Sequence, residues 1–398
     1  RTASAFRNRL VWFMRLLFLT MSSIRAMSSR GIYTDLLREF LDRGDDVYVV
    51  CPSERREGKS TELTIEDGIA VLRVKVGNIT EVSLVEKTIS TLLIEHQFVT
   101  AIRRFFGGIR FDLVIYPTPP VTFDRVVRYV KNRDGCRSYL LLKDIFPQNA
   151  VDLDLMKKGG LVWRYFRSRE RRLYAQSDFI GCMSPANARY LLAHNDNIAA
   201  TKVEVCPNSI KPRPSEHLRS TGPSILDLYG IPQDAMVLAY GGNLGKPQGI
   251  GFLLEVLDRS KDRQDVFFLI VGSGTDYCRI EQCLKTGRHR NARLLQTLPK
   301  DQYDELLTQC DVGLILLDRR FSIPNFPSRM LAYMEAALPI LAATDSHTDI
   351  RSVVCESSLG LWVHHGDIDG FMAAIDRLYS DKALRCEMGA RGRACSVR

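Results

Sequence analysis

Gly241, Gly242, Gly245 and Gly249 crowd the junction between the apolar run MVLAY and the amphipathic run IGFLLEVL, and Gly272 and Gly274 close the next apolar run, VFFLIVG. Glycines at a strand-to-helix handover let the backbone approach an anion closely. The helix start adds unpaired N–H groups and the positive end of its dipole. The chemistry this permits is binding of a phosphate or diphosphate, with Lys246 as the cation of the loop. An ordinary tight turn between strand and helix also uses glycine, so the loop alone leaves both readings open. A second segment, IPNFPSRMLAYMEAALPIL, adds Ser328 as an expected N-cap, Arg329 in the first helical turn and Pro339 as the stop. Lys246 and Arg329 together would neutralise a diphosphate.

Two further groups could carry chemistry. Asp144 closes the run SYLLLKD and is followed by Gln148 and Asn149. A carboxylate at a strand end can orient a hydroxyl or stabilise oxocarbenium-like charge, and it can equally shape the turn before Pro147. Asp152 and Asp154 form a D-x-D that could hold a metal-bound diphosphate, but so short a motif in a polar loop is common by chance, and no metal is expected. Residues 157–172 carry Lys157, Lys158, Arg164, Arg167, Arg169, Arg171 and Arg172 against the single acid Glu170, interleaved with Trp163, Tyr165 and Phe166. Such a run is either a solvated helix face or a surface that leans on anionic lipid. No nucleic-acid module accompanies the charge, so nucleic acid is not the expected partner.

These groups need elements to position them. From Arg15 onward, apolar runs alternate with amphipathic ones, which predicts parallel sheets covered on both faces by helices. With 398 residues, two domains are expected. Pro212, Pro214, Gly222, Pro223 and Pro232 mark a linker at 209–232 between an α/β domain at 14–208 and another at 233–398. LVWFMRLLFLTM is too short to span a membrane and carries Arg15 inside, so its second half reads as the first core strand, with residues 1–13 an N-terminal extension before it. Composition is that of a globular protein, 45% hydrophobic and 25% charged, and 55 Lys and Arg against 46 Asp and Glu leave a formal charge of +9 that favours an anionic partner. The 10 cysteines show no C-x-x-C spacing, and several, in apolar contexts such as FIGCM and VEVCP, read as buried thiols of a reducing, cytoplasmic protein.

GGNLGKPQG, VGSG and NFPSRMLAYMEAALPIL, in this order in the second of two such domains, resemble the donor domain of GT-B glycosyltransferases of the family-4 type. RGIYTDLLREFLDRGDDVYVVCP, LLLKDIFPQNAVDL, IGCMSPAN and VEVCPNSI are similar to elements of that group's first domain, closest to bacterial surface-polysaccharide transferases. The resemblance implies an α/β fold of two Rossmann-like doubly wound domains facing across a cleft. It implies a retaining, metal-independent glycosyltransferase with a nucleotide sugar as donor, a saccharide or lipid-linked saccharide as acceptor, and no other cofactor. It would work in the cytoplasm, peripheral on the inner face of the membrane.

Carried over position by position, Asp144, Lys246 and Arg329 are the expected catalytic groups. Gly31, Gly242, Asn243, Gly245, Lys246, Gln248, Gly272, Gly274, Ser328, Arg329 and Glu335 would hold the donor, and Gln148, Asn149 and Asn208 would line the acceptor side. The sequence departs from the family pattern in three places. Asn243 and Gln248 stand where the group carries Arg and Lys, and Pro324 and Ala332 stand where it carries two Glu, which leaves Glu335 to take the ribose. The chain also stops at ARGRACSVR, where relatives add a helix crossing back to the first domain, so that helix is expected to be truncated. A nucleotide-sugar epimerase on the same fold and a non-catalytic partner subunit are the alternatives, the second suggested by the absent Glu pair.

Overall fold

The computed structural model describes residues 13–24, 26–79, 84–214 and 225–397. The expected N-terminal extension, apart from Phe13, and the middle of the expected linker with Gly222 and Pro223 lie outside the described residues.

Strands of the first sheet are β1 (Arg15–Leu19), β2 (Asp46–Glu54), β3 (Glu62–Glu66), β4 (Ile69–Val76), β5 (Leu113–Pro117), β6 (Arg137–Leu142), β7 (Phe179–Cys182) and β8 (Val203–Val205), in the order β3-β4-β2-β1-β5-β6-β7-β8. Those of the second are β9 (Met236–Asn243), β10 (Val266–Ser273), β11 (Ala292–Leu295), β12 (Val312–Leu316), β13 (Ile340–Thr344) and β14 (Gly360–His364), in the order β11-β10-β9-β12-β13-β14. The registered pairs are parallel except β3 with β4, which is antiparallel. β3 is the strand least legible in the sequence. Its alternation is real, but Ile65 is 80% exposed and Leu63 40%, so the strand lacks the buried apolar run by which the others are legible.

The second sheet shows why its strands are continuously apolar. Met236, Leu238 and Tyr240 belong to one core cluster, while Val237 and Ala239 belong to another, so β9 buries both of its faces. The helix Ile250–Ser260 follows the glycine loop and buries Leu253, Val256 and Leu257 in the first of these clusters, the spacing of a single helix face. Each such apolar side chain contributes roughly 1.5–3 kcal/mol when fully buried. Strand ends are thereby rigid where the glycines occur.

Two compact units divide the chain. One holds residues up to Ser29, Tyr33–Leu141 and Ser168–Ile180; the other holds Arg30–Ile32, Leu142–Arg167 and Gly181–Arg398. The sequence places its division in the linker at 209–232, whereas here three short segments from the first half pack with the second. The last helix, Lys382–Val397, runs beside the helix Arg329–Glu335, where Arg393 Nη1 donates to the Glu335 carbonyl over 3.1 Å. No described helix is long and apolar enough to cross a membrane.

Candidate active site

The ends of β9 and β10 lie in register, with Gly272 opposite Gly242 and Ser273 opposite Asn243. A Cβ on Gly272 would overlap the Gly242 carbonyl oxygen, so only glycine lets these strand ends meet. Gly242 has φ 116°, in the region that favours glycine, and a Cβ there would lie 3.6 Å from Arg329 Nη2. These strand ends form the floor of a cavity of about 740 Å³ within the second unit.

Of the expected site residues, Gly31, Gly242, Asn243, Gln248, Gly272, Ser328 and Arg329 line this cavity. Among its described lining residues the charged side chains are Lys300 and Arg329, both cations, with no carboxylate. Arg329 is held from two sides. Its Nη2 donates to Gln248 Oε1 at 2.7 Å, and its guanidinium carbon lies 4.4 Å from the centroid of the Tyr240 ring. Tyr240 also donates its hydroxyl to Gln248 Oε1 at 3.3 Å. Arg329 Nη1 is buried with no hydrogen-bond partner among the described residues.

Tyr333 closes the rear of this group, its hydroxyl donating to the Leu314 carbonyl at 3.1 Å and accepting from Gly241 N at 3.2 Å. Burial pushes the Tyr240 hydroxyl up and the Tyr333 hydroxyl up to about 12, so both stay neutral beside the guanidinium. The result is a fixed cation with an unpaired donor arm beside glycine backbone, an arrangement that can receive an anionic oxygen.

Three expectations about the donor side meet a different local geometry. Lys246 is exposed, in the turn Lys246–Gln248, and does not line the cavity; Gly245 and Gly274 do not line it either. Lys300, at the start of the helix Lys300–Leu307, supplies the second lining cation instead. It also pairs with Asp304. Ser328 does not cap its helix: its backbone is helical and its hydroxyl makes no cap hydrogen bond, so the anion seat rests on Arg329 itself. Glu335 is 1% exposed and does not line the cavity. Arg30 Nη2 donates to it at 2.7 Å and Arg213 N at 2.7 Å. Burial raises the Glu335 carboxyl, but these donors outweigh it and hold the group below the usual range. A carboxylate so occupied serves the ion-paired core, and the residues of its helix that line the cavity are Arg329, Leu331 and Ala332.

The expected acceptor-side residues lie outside the cavity lining. Asp144 stands two residues beyond β6. Asn149 Nδ2 donates to its Oδ2 at 2.6 Å, and burial pushes its carboxyl up to about 6. Gln148 Nε2 donates to Asp152 Oδ1 at 2.8 Å. Asn149 Oδ1 and Asn208 Oδ1 are buried without a hydrogen-bond partner among the described residues. The D-x-D is spoken for: Asp152 accepts from Ser322 N and Oγ at 2.8 Å, and Asp154 from Arg320 Nη1 at 3.0 Å.

Sequence reasoning missed Lys300 and Tyr303. They sit one turn apart on the helix Lys300–Leu307, both line the cavity, and Tyr303 fits there because Gly241 opposite its hydroxyl has no side chain. Nothing in the helix's own pattern carries that signal.

Known proteins match along both halves. The profile of the family described as Glycosyltransferase Family 4 matches residues 32–213, and that of Glycosyl transferases group 1 matches residues 226–394. The chain is 25% identical over 256 residues to the probable glycosyltransferase WbjE of Pseudomonas aeruginosa, covering 63% of this chain and 62% of that relative. It is 24% identical over 258 residues to the putative colanic acid biosynthesis glycosyl transferase WcaI of Escherichia coli K12, again covering 63% and 62%. The match thus spans under two thirds of either relative's own length. In three dimensions the chain is similar to a solved protein chain described as "Trehalose-6-phosphate from E. coli bound with UDP-2-fluoro glucose", with TM-score 0.72, 12% identity, and coverage of 96% of this chain and 95% of that one.

Proposed function

Since the chain belongs to the GT-B glycosyltransferases of family 4, we propose that it transfers a sugar from a nucleoside diphosphate to a saccharide acceptor with retention at the anomeric carbon. The acceptor in this reading is lipid-linked and the product a bacterial surface polysaccharide, in line with the resemblance of the sequence and with one relative being named for colanic acid biosynthesis. The observation that carries the reading is the cavity at the ends of β9 and β10, where the charged lining side chains among the described residues are Lys300 and Arg329. Such a site favours an anion.

Catalysis is then electrostatic. Arg329 meets the negative charge that grows on the departing diphosphate, and Gln248 and Tyr240 hold it in place beforehand, so little reorganisation is needed in the transition state. Asp144 would act on the acceptor side, orienting the incoming hydroxyl. Thermal-shift titration with a panel of nucleotide sugars tests the donor site. UDP sugars head the panel because the structurally similar E. coli protein is bound with UDP-2-fluoro glucose. A ligand at 100 times its dissociation constant adds about 2.7 kcal/mol, and no shift with any nucleotide or nucleotide sugar would overturn the assignment. A second reading, a donor-binding partner subunit without turnover, is favoured by Ala332 facing the cavity in place of a carboxylate. Donor that binds without transfer or hydrolysis selects it, and interconversion without an acceptor selects an epimerase.

Two smaller effects follow from the occupied side chains. Asp152 and Asp154 are engaged by Ser322 and Arg320, so transfer is expected to survive EDTA within about twofold. Loss of activity in chelator with recovery on Mn²⁺ would contradict this. Lys246→Ala is expected to change donor affinity less than about threefold, because an exposed, solvated charge near a site contributes little. A tenfold loss would return Lys246 to the diphosphate.

A further inference from the structure

Residues 155–169 contain no Asp or Glu, and their side chains are not disposed as a plain solvated face. Leu161 is 84% exposed, Leu155 and Val162 each 59%, and Tyr165 40%. They flank one tight turn, in which Gly160 N donates to the Lys157 carbonyl at 3.1 Å and from which the helix Leu161–Gln176 starts. Leu161 and Tyr165 lie one helical turn apart. Lys157, Lys158 and Arg164 are exposed among them.

The charge of this helix is also less available than its sequence suggests. Arg169 is fully buried, paired with Glu95 and with Asp124 at 2.6 Å, and Arg167 Nη2 donates to the His194 carbonyl at 2.7 Å. The exposed end is therefore apolar at its tip with a basic collar.

We infer that this tip, Leu155 to Tyr165, embeds in the interface of an anionic lipid bilayer, with Leu161 and Val162 entering the apolar boundary and Lys157, Lys158 and Arg164 meeting the headgroups. The charge complementarity selects lipid: a continuous run without carboxylates repels no headgroup, and the basic collar places the cations at the depth of the phosphates. A purely electrostatic surface has no use for exposed Leu161 and Val162. The inference uses no part of the donor cavity, so it stands or falls separately from the glycosyltransferase reading.

The test is co-sedimentation of the full chain with vesicles of phosphatidylcholine alone or with 30% phosphatidylglycerol, a composition chosen for about the charge of a bacterial inner leaflet, at low and high salt. The chain is expected to bind the anionic vesicles and to keep a residual part of that binding in high salt. The triple variant Lys157→Glu, Lys158→Glu, Arg164→Glu should lose about a hundredfold in partitioning at low salt. The double variant Leu161→Ser, Val162→Ser should lose at least tenfold at both salt concentrations. Nucleotide binding and Tm measured without lipid report whether each variant is folded. Unchanged partitioning of the folded double variant overturns the inference. So does equal binding of the unaltered chain to neutral vesicles, or a lipid-free dimer that the double variant converts to monomer.

Discussion

Arg329→Met is expected to weaken binding of a nucleoside-diphosphate sugar about a hundredfold while shifting Tm by no more than a few degrees. The guanidinium has one arm on Gln248 Oε1 at 2.7 Å and its other terminal nitrogen buried without a partner among the described residues. A charged donor left in that state is unfavourable, and a phosphate oxygen would satisfy it. Hydrogen bonds to charged groups contribute about 1.5–3 kcal/mol each, so losing two from one fork costs about 3 kcal/mol, a factor of about 100. Met keeps the apolar stem against Tyr240, and Gln248 keeps the Tyr240 hydroxyl as a donor, so the fold loses little. Arg329→Lys should fall between, near tenfold, because an ammonium restores charge but not the fork. Gln248→Glu should weaken binding in the same direction by pairing with the guanidinium. Calorimetric titration of the four proteins with one donor decides it, and affinity of Arg329→Met within threefold of the unaltered chain would remove Arg329 from the donor site.

Asp144→Asn is expected to lower kcat by about a hundredfold and leave the donor dissociation constant nearly unchanged, the pattern of a group acting mainly in the transition state. Burial raises its carboxyl to about 6, with the Ile145 backbone N–H and Asn149 pulling partly back, so the unaltered enzyme should gain kcat/KM as pH rises through about 6. The Asn variant should lack that limb. Stability should move the other way. A folded pKa above the ordinary 3.8 means that the native state binds the proton more tightly than the unfolded chain. The contribution is present below about pH 4 and lost as pH rises through about 6. Above that, the buried charge costs up to about 3 kcal/mol, at about 1.4 kcal/mol for each pH unit between the two values. Asp144→Asn is therefore expected to raise Tm at pH 8 and leave it unchanged at pH 4. Near-normal kcat with this Tm pattern would make Asp144 a buried turn residue and no more.

The sequence was most legible where one physical constraint acts on consecutive residues. β9 and β10 bury both faces, so MVLAY and VFFLIV are continuously apolar, and the helix Ile250–Ser260 buries one face at helical spacing. The glycines between them could be read as a close approach because the absence of Cβ is itself the signal, and Gly242 and Gly272 do meet across the register. β3 is hard to read from sequence because it is an edge strand, and it carries no buried run.

Charge was the least legible property, because a sequence lists cations without saying what neutralises them. Lys246 and Arg329 look alike as loop and helix-start cations, yet Arg329 is held at the cavity by Gln248 and Tyr240 while Lys246 faces solvent. Arg169 looks like one of seven surface cations and is buried between Glu95 and Asp124, residues 74 and 45 positions away in the chain (169 − 95, 169 − 124). Glu335 looks free to take a ribose and is bound by Arg30 and Arg213. By itself the sequence determined the strand-and-helix alternation, the glycine-walled strand ends and the place of Arg329 beside them, since those follow from local pattern and backbone sterics. The tertiary structure alone decided which charges are available for function, because an ion pair depends on distance in space and on burial, and neither is written in the spacing of residues along the chain.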